Sequence, residues 1–465
     1  MFLKKFFIFL FFLFPLTPGL LPQAFAYNFL YINPTTGAPI GWEPGTTIEY
    51  YVDPGSLGRL TNEQARTLIQ AAMDIWTNAS PDYANVPHFH YAGLLPEDVN
   101  GSNYSSYVSR FPCNTSDLSS CRSQAQRDLK TVVIFDNDGS ILRGGLCGPI
   151  TCTDLGGAGV FSDTDGSTVI RQGMIILSPG SAVGLVGFAT HELGHMLGLA
   201  HPYLNQQLFV PRVATEEDYA RLPVMEIGAA PHVNGVSLKT ATTLNPDDIA
   251  GIATLYPSIG YESQTVSISG KISKADLTPM THVNIVARRV NDSFCEAYSF
   301  LSGRFCEVAP AAAFCHEASD FNPEYTLSGL PPGTYSIEVE EISDDDLAFV
   351  VAPGLLNPFM MGDAEFWNDS DQASESNSTM TSISLEAGQS REDVDIVLNR
   401  SEVTSDRIKY IPETLFSPGP NARCPIEASA NYGAMVGEPV DSDNTQHNNT
   451  SNNQSGCSLI MVESP

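Results

Sequence analysis

Between positions 191 and 201 the chain reads HELGHMLGLAH, a spacing that lets three histidines and one glutamate act around a single metal ion. On a helix, residues i and i+4 share a face, so His191 and His195 can offer two imidazole nitrogens to one point. Glu192 follows the first of these and lies near enough to take a proton from a metal-activated water without ligating the metal. Gly198 permits a positive φ, and a sharp turn there brings His201 back toward the same ion from outside the helix. Three neutral imidazoles leave a fourth position open for water, as a catalytic zinc site requires and a closed structural site does not. Zinc lowers the pKa of that water to near neutrality, and Glu192 is then its general base. The expected site is one Zn²⁺ on His191, His195 and His201, with Glu192 catalytic.

Such a constellation needs a scaffold, and the flanking sequence supplies one. The stretch TIEYYVD, Thr47 to Asp53, alternates as a strand does. Thr61 caps an expected helix from Asn62 to Asn78, whose apolar positions Ala65, Leu68, Ile69, Ala72 and Ile75 recur at helical spacing. Strand-like runs follow at His88–Tyr91, Thr131–Phe135 and Met174–Leu177, with a Gly- and Asp-rich stretch between Asp136 and Gly166. An apolar helix from about Ala182 to Leu199 carries the first two histidines, and Asn245-Pro246-Asp247-Asp248 opens a last helix that stops at Pro257. The class is α+β, a mixed twisted sheet with the site helix packed on it.

From Val266 the chain changes to short β-branched runs broken by Gly and Pro: VSISGKI, VNIVARRV, YTLSGL, TYSIEVEEI and DVDIVLN. These predict an all-β sandwich of roughly seven strands. Beyond about Ser401 the composition is polar, and Asp441–Ser455 is of low complexity, as a disordered tail would be. The expected divisions are a signal peptide at 1–26, a first domain at 27–260, the sandwich at 263–400 and the tail at 401–465.

Composition sets the compartment. The net charge of −30 over 465 residues argues against nucleic acid or anionic lipid as partners. Lys4 and Lys5, an apolar run from Phe6 to about Leu16, and Ala24-Phe25-Ala26 read as a secretory signal cleaved near Ala26. Pro15, Pro18 and Gly19 interrupt the run before the ~20 residues of a membrane span. The expected product has no transmembrane segment and is secreted or held in the cell envelope. Nine cysteines in an exported chain favour disulfides, with Cys113/Cys121 and Cys147/Cys152 near enough to staple loops.

The longer pattern H-E-x-x-H-x-x-G-x-x-H resembles the signature of the metzincins, and within them the matrixin-like enzymes of bacterial type. Met225 in LPVMEIG matches the methionine turn that family carries beneath its metal, LNPDDIAGIATLYP resembles its closing helix, and Trp76 fits its opening helix. The likeness covers about Trp42 to Pro257. It implies a metzincin catalytic domain and a zinc endopeptidase whose protein or peptide substrate lies extended along an edge strand, expected to be the one containing Met174–Leu177. Residues 263–400, through SGKISKADLTPMTHVNIVARRV and SGLPPGTYSIEVE, resemble the transthyretin-like or carboxypeptidase-regulatory sandwich.

The chain departs from that family in three ways. No histidine lies between His90 and His191, so the family's second zinc site has no counterpart there; Asp136, Asp138, Asp163 and Asp165 could instead bind Ca²⁺. Met225 is followed by Glu226-Ile227-Gly228 in place of an aromatic residue and proline, so the specificity pocket does not transfer. The roughly 20 residues between Ala26 and the first strand leave no room for a latency segment. Two rival readings share the motif: an envelope or matrix binding protein on a metzincin scaffold, and a zinc hydrolase acting on a non-peptide substrate.

Overall fold

The computed structural model describes residues 27–30, 38–79, 82–108, 131–142, 156–162, 169–179, 185–205, 221–226, 243–280, 283–302, 324–340, 365–369 and 380–398. The expected signal peptide, the tail, Asp163, Asp165, Ile227, Gly228 and every cysteine except Cys295 lie outside them. Cys295 is buried and disulfide-bonded. No helix among the described residues is long and apolar enough to cross a membrane.

The first half is a five-stranded mixed sheet. Strands β1 (Thr47–Val52), β2 (His88–Leu94), β3 (Thr131–Phe135), β4 (Gly156–Ser162) and β5 (Ile170–Leu177) are ordered β2-β1-β3-β5-β4. The first four in that order run parallel, and β4 closes the edge antiparallel to β5. Central strands of a parallel sheet are buried on both faces, and β3 and β5 are so. Val133, Phe135, Ile175 and Leu177 enter the main core, while Val132, Ile134, Met174 and Ile176 join Leu95, Val99, Ile141 and Leu142 on the opposite face.

This order corrects one expectation. Met174–Leu177 lies in β5, inside the sheet, and the edge next to it is β4, within the Gly- and Asp-rich stretch between Asp136 and Gly166. Gly156, Gly157 and Gly159 weaken any local strand signal, and β4 is a strand because β5 pairs with it from Gly156↔Leu177 to Ser162↔Ile170.

Helix α1 (Asn62–Thr77) begins where Thr61 predicts: the Thr61 hydroxyl accepts from the Gln64 amide and the Gln64 side chain accepts from the Thr61 amide. A single turn, α2 (Ser105–Val108), follows β2. Helix α3 (Leu185–Leu197) carries His191 and His195 and packs against α1, β4 and β5. Helix α4 (Pro246–Leu255) starts at Asn245 with a second reciprocal cap through Asp248, and the short α5 (Tyr261–Gln264) leads into the β-rich half.

There β6 (Val266–Lys274), β7 (Asn284–Arg289), β8 (Ala297–Leu301), β9 (Glu324–Leu330), β10 (Gly333–Glu340), β11 (Glu365–Phe366), β12 (Ile383–Leu385), β13 (Ser390–Arg391) and β14 (Ile396–Leu398) form two sheets. One is ordered β11-β10-β7-β8 with β12 also on β10, and the other β13-β6-β14 with β9 also on β6. The five runs read from sequence correspond to β6, β7, β9, β10 and β14; β8 and the short β11, β12 and β13 had too little pattern to detect. The apolar core runs without a break from Trp76 and Leu193 through Ala253 and Tyr256 to Ile268 and Tyr335. The two halves are therefore packed as one body along α4, which touches β8 and β9.

Candidate metal centre

Helix α3 is buried along its whole length, so its backbone and its polar side chains must find partners inside the protein. Its C-terminal end is fully accounted for. The Leu199 amide donates to the Gly194 carbonyl at 3.0 Å and the Gly198 amide to that of His195 at 2.8 Å, the paired bonds of a Schellman turn. Gly198 has φ +111°, as that turn requires, and a β-carbon there would press on the Ile40 carbonyl at 3.1 Å. The next two carbonyls, Met196 and Leu197, accept from the Trp42 indole at 2.8 Å and from the Tyr256 hydroxyl. One turn earlier the Trp76 indole donates to the Thr190 carbonyl at 2.6 Å.

The helix ends at Leu197, two residues before the expected limit, because Gly198 turns the chain. After that turn His201 points back at the face formed by His191 and His195. The three Nε2 atoms are 3.0, 3.0 and 3.1 Å apart. Among the described residues this is the group of metal-ligating side chains that converges, and all three are buried.

Three imidazole lone pairs at this spacing repel one another, and a cation bound between them would relieve that repulsion. Nitrogens at the ~2.0–2.1 Å Zn–N distance in a tetrahedron would be roughly 3.3–3.4 Å apart, a few tenths more than observed. The donor set and spacing therefore fit a small divalent cation with imidazole affinity.

The rings are held from behind. The Nδ1 of His191 lies 2.7 Å from the Val224 carbonyl and that of His195 lies 2.8 Å from the Leu199 carbonyl. Since a carbonyl only accepts, each Nδ1 carries the proton and each Nε2 keeps its lone pair toward the shared point. Phe188 stacks parallel to His191 at 6.5 Å between ring centres. Burial, reinforced by the neighbouring His201, holds the His191 pKa down at about 3, and the same causes put His195 well below its usual value. Both are neutral near pH 7, the form a metal needs.

Glu192 is buried on α3 beside His191. Met225 lies beneath the helix and is also buried; a β-carbon on Gly194 would come within 2.2 Å of its sulfur. The Pro223–Glu226 turn that carries it is held by α4: Asp248 accepts the Val224 amide at 2.7 Å, the Met225 amide at 3.1 Å and the Asn245 amide at 2.8 Å. Burial raises the Asp248 pKa to about 7 against the pull of those amides. Sequence reading assigned the Asn245–Asp248 segment only as a helix start, and its second use, clamping the turn behind His191, carries no local signal.

One stretch of the chain is similar to a metalloendoproteinase. Over 97 residues it is 29% identical to Metalloendoproteinase 2-MMP of Arabidopsis thaliana, covering 19% of this chain. The match spans about a quarter of that relative, 26% of its length. No family model matches the chain.

Of the acidic residues read as a calcium site, Asp136 accepts the Ile141 and Leu142 amides at 3.0 and 2.9 Å, and Asp138 accepts that of Ser140 at 2.9 Å. Both carboxylates serve the turn after β3.

Proposed function

We propose that this chain is an exported zinc endopeptidase of the matrixin-like metzincin type, with His191, His195 and His201 holding one Zn²⁺ and Glu192 as general base. The observation that carries the reading is the convergence of three Nε2 atoms at 3.0–3.1 Å, two from helix α3, where Glu192 follows the first, and one from His201 after the Gly198 turn. The similarity of one stretch to a metalloendoproteinase agrees with it. A divalent cation held there supplies Lewis-acid polarisation of a carbonyl and acidifies water.

The protein groups then divide the remaining work. The Nδ1 bonds to Val224 and Leu199 keep two imidazoles oriented, and Met225 beneath Gly194 sets the floor against which the helix rests. The Glu192 carboxylate accepts a proton from the attacking water and delivers it to the leaving amine. Strand β4 pairs on one side with β5 and passes beside α3, so an extended peptide adding to its other edge would run past the three histidines. Residues 27–260 are the catalytic unit in this reading, 263–400 an accessory sandwich of transthyretin-like type, and 1–26 the signal that exports the chain.

The test is cleavage of an unfolded protein by the purified chain, with and without chelator, beside Glu192→Ala. Chelator-sensitive cleavage by the wild type and none by the variant is expected. Cleavage that survives chelation, or equals that of the variant, would overturn the assignment.

A further inference from the structure

In an isolated β-sandwich the outward side chains of each sheet meet water. The β7–β10 pair does not follow this rule. Ile285, Ala287, Ile337 and Val339 face the sandwich core, and the alternate residues Asn284, Val286, Arg288, Glu338 and Glu340 are buried too. They are covered by residues 203–205, which directly follow His201.

The contacts are specific. Asn284 Nδ2 donates to the Tyr203 carbonyl at 2.5 Å. The Asn205 amide donates to Glu340 at 3.1 Å, and its side-chain oxygen accepts from Arg288 Nη1 at 2.6 Å. Asn205 Nδ2 donates to the carbonyls of Arg221 at 2.7 Å and Phe294 at 2.9 Å. Leu204 packs on Val286 and Ala297, and its amide donates to Glu226 at 3.1 Å, on the turn that carries Met225. Arg288 is itself held by Glu338, by Glu340 at 3.0 Å and by the Ser293 carbonyl at 3.0 Å, with its guanidinium 5.4 Å above the Phe294 ring.

Burying these charges carries a desolvation penalty for each ion, so the arrangement is not explained by stability alone. What it does is define where residues 203–205 sit. Only Pro202 separates the anchored Tyr203 from His201, and proline fixes its own φ and restricts the residue before it. A displacement at Tyr203 therefore passes to His201. On the other side, Asn28 holds the His201 carbonyl at 2.5 Å.

We propose that the outer face of the β7–β10 pair is the seat of the third metal ligand, with Arg288, acting through Asn205, and Asn284, acting through Tyr203, as positioning residues for His201. The sandwich is then a working part of the metal centre and not an appended module. This rests on the metal-centre reading above, which the following measurement tests separately.

The full chain and its Asn205→Gly and Asn284→Ser variants would be loaded with Zn²⁺, and its transfer to a chromogenic chelator followed. Co²⁺-loaded samples would report coordination through their visible absorption. Glycine keeps the left-handed backbone of Asn205, whose φ is +62°, while removing its side-chain bonds. Tyr325→Phe is the control, since Tyr325 donates to the Val394 carbonyl at 2.6 Å in the other sheet. Both test variants are expected to lose zinc about 10–100-fold more readily and to change the Co²⁺ spectrum. Tyr325→Phe is expected to lower the unfolding temperature without either effect. Wild-type zinc retention and spectrum in a folded Asn205→Gly, or in Asn284→Ser should the former not fold, would overturn the proposal. A wild-type chain that binds neither ion would overturn the metal-centre reading as well, which makes the two failures distinguishable.

Discussion

Gly194 and Met225 are in such close contact that a β-carbon on the glycine would lie 2.2 Å from the methionine sulfur and 2.8 Å from the Trp76 ring. The site helix can rest on both residues only because position 194 has no side chain. Methionine can shift, but Trp76 is pinned by its bond to the Thr190 carbonyl. Gly194→Ala is therefore expected to destabilise the protein despite the better helix propensity of alanine, as overpacking typically costs ~1–3 kcal/mol against a gain of about 1 kcal/mol. Calorimetry and zinc retention check this; an unchanged or higher unfolding temperature would show that the contact relaxes freely.

Asp248 ties the closing helix to the turn behind His191. Asp248→Asn replaces one accepting oxygen with an NH₂ group facing amide donors, at an expected cost of ~1–3 kcal/mol. Because the Val224 carbonyl orients His191, zinc affinity should fall as well. The pH dependence follows from the raised pKa, about 7 in the folded chain against 3.8 for an ordinary aspartate. A carboxyl raised on folding stabilises fully below its unfolded pKa, and that contribution fades as pH rises through about 7. Urea unfolding at pH 4 and pH 8 should thus show the gap between wild type and variant narrowing at the higher pH; a widening gap would contradict the assignment.

His191 and His195 have the opposite sign. His191 is depressed to about 3 by burial and by His201. Its neutral form favours the fold above the ordinary value of 6.5, and this is lost as pH falls toward 3. Metal-free protein should lose up to about 1.4 kcal/mol per pH unit from this group across that window. His191→Ala should flatten the dependence, and added Zn²⁺ at pH 7 should raise the wild-type unfolding temperature, the gain growing with the logarithm of free Zn²⁺ once it exceeds Kd. A stability difference between metal-free wild type and His191→Ala that is the same at pH 7 and pH 4 would refute the point.

Glu192→Gln keeps shape and burial but cannot accept the proton. Cleavage of an unfolded substrate is expected to drop ~10²–10⁴-fold while zinc stoichiometry stays that of the wild type. Loss of zinc in this variant would instead make Glu192 part of the metal-holding set.

Residues whose partners lie within one helical turn were legible in the chain itself. His191 and His195 share a face through i,i+4 spacing, Gly198 carries the positive φ inferred for it, and Thr61 and Asn245 cap the helices they precede. The strands β3 and β7 were equally plain, because a run of β-branched residues records its own burial.

Strand order left no such trace. The apolar run of Met174–Leu177 does not distinguish an edge strand from the strand beside it, and Gly156, Gly157 and Gly159 concealed the strand that takes the edge. A pairing partner distant in sequence decides both.

The amino-acid sequence by itself therefore determined which side chains could meet at one metal, His191, His195 and His201, and which acidic residue, Glu192, is proposed to move a proton beside them. Only the tertiary structure decided what holds them. Asp248 reaches the Val224 and Met225 amides, Trp42 and Tyr256 close the end of α3, and Asn284 and Arg288 seat the residues after His201. Those bonds join residues more than 20 positions apart. A buried polar group must find a partner, and in a folded chain that partner is chosen by packing and not by spacing.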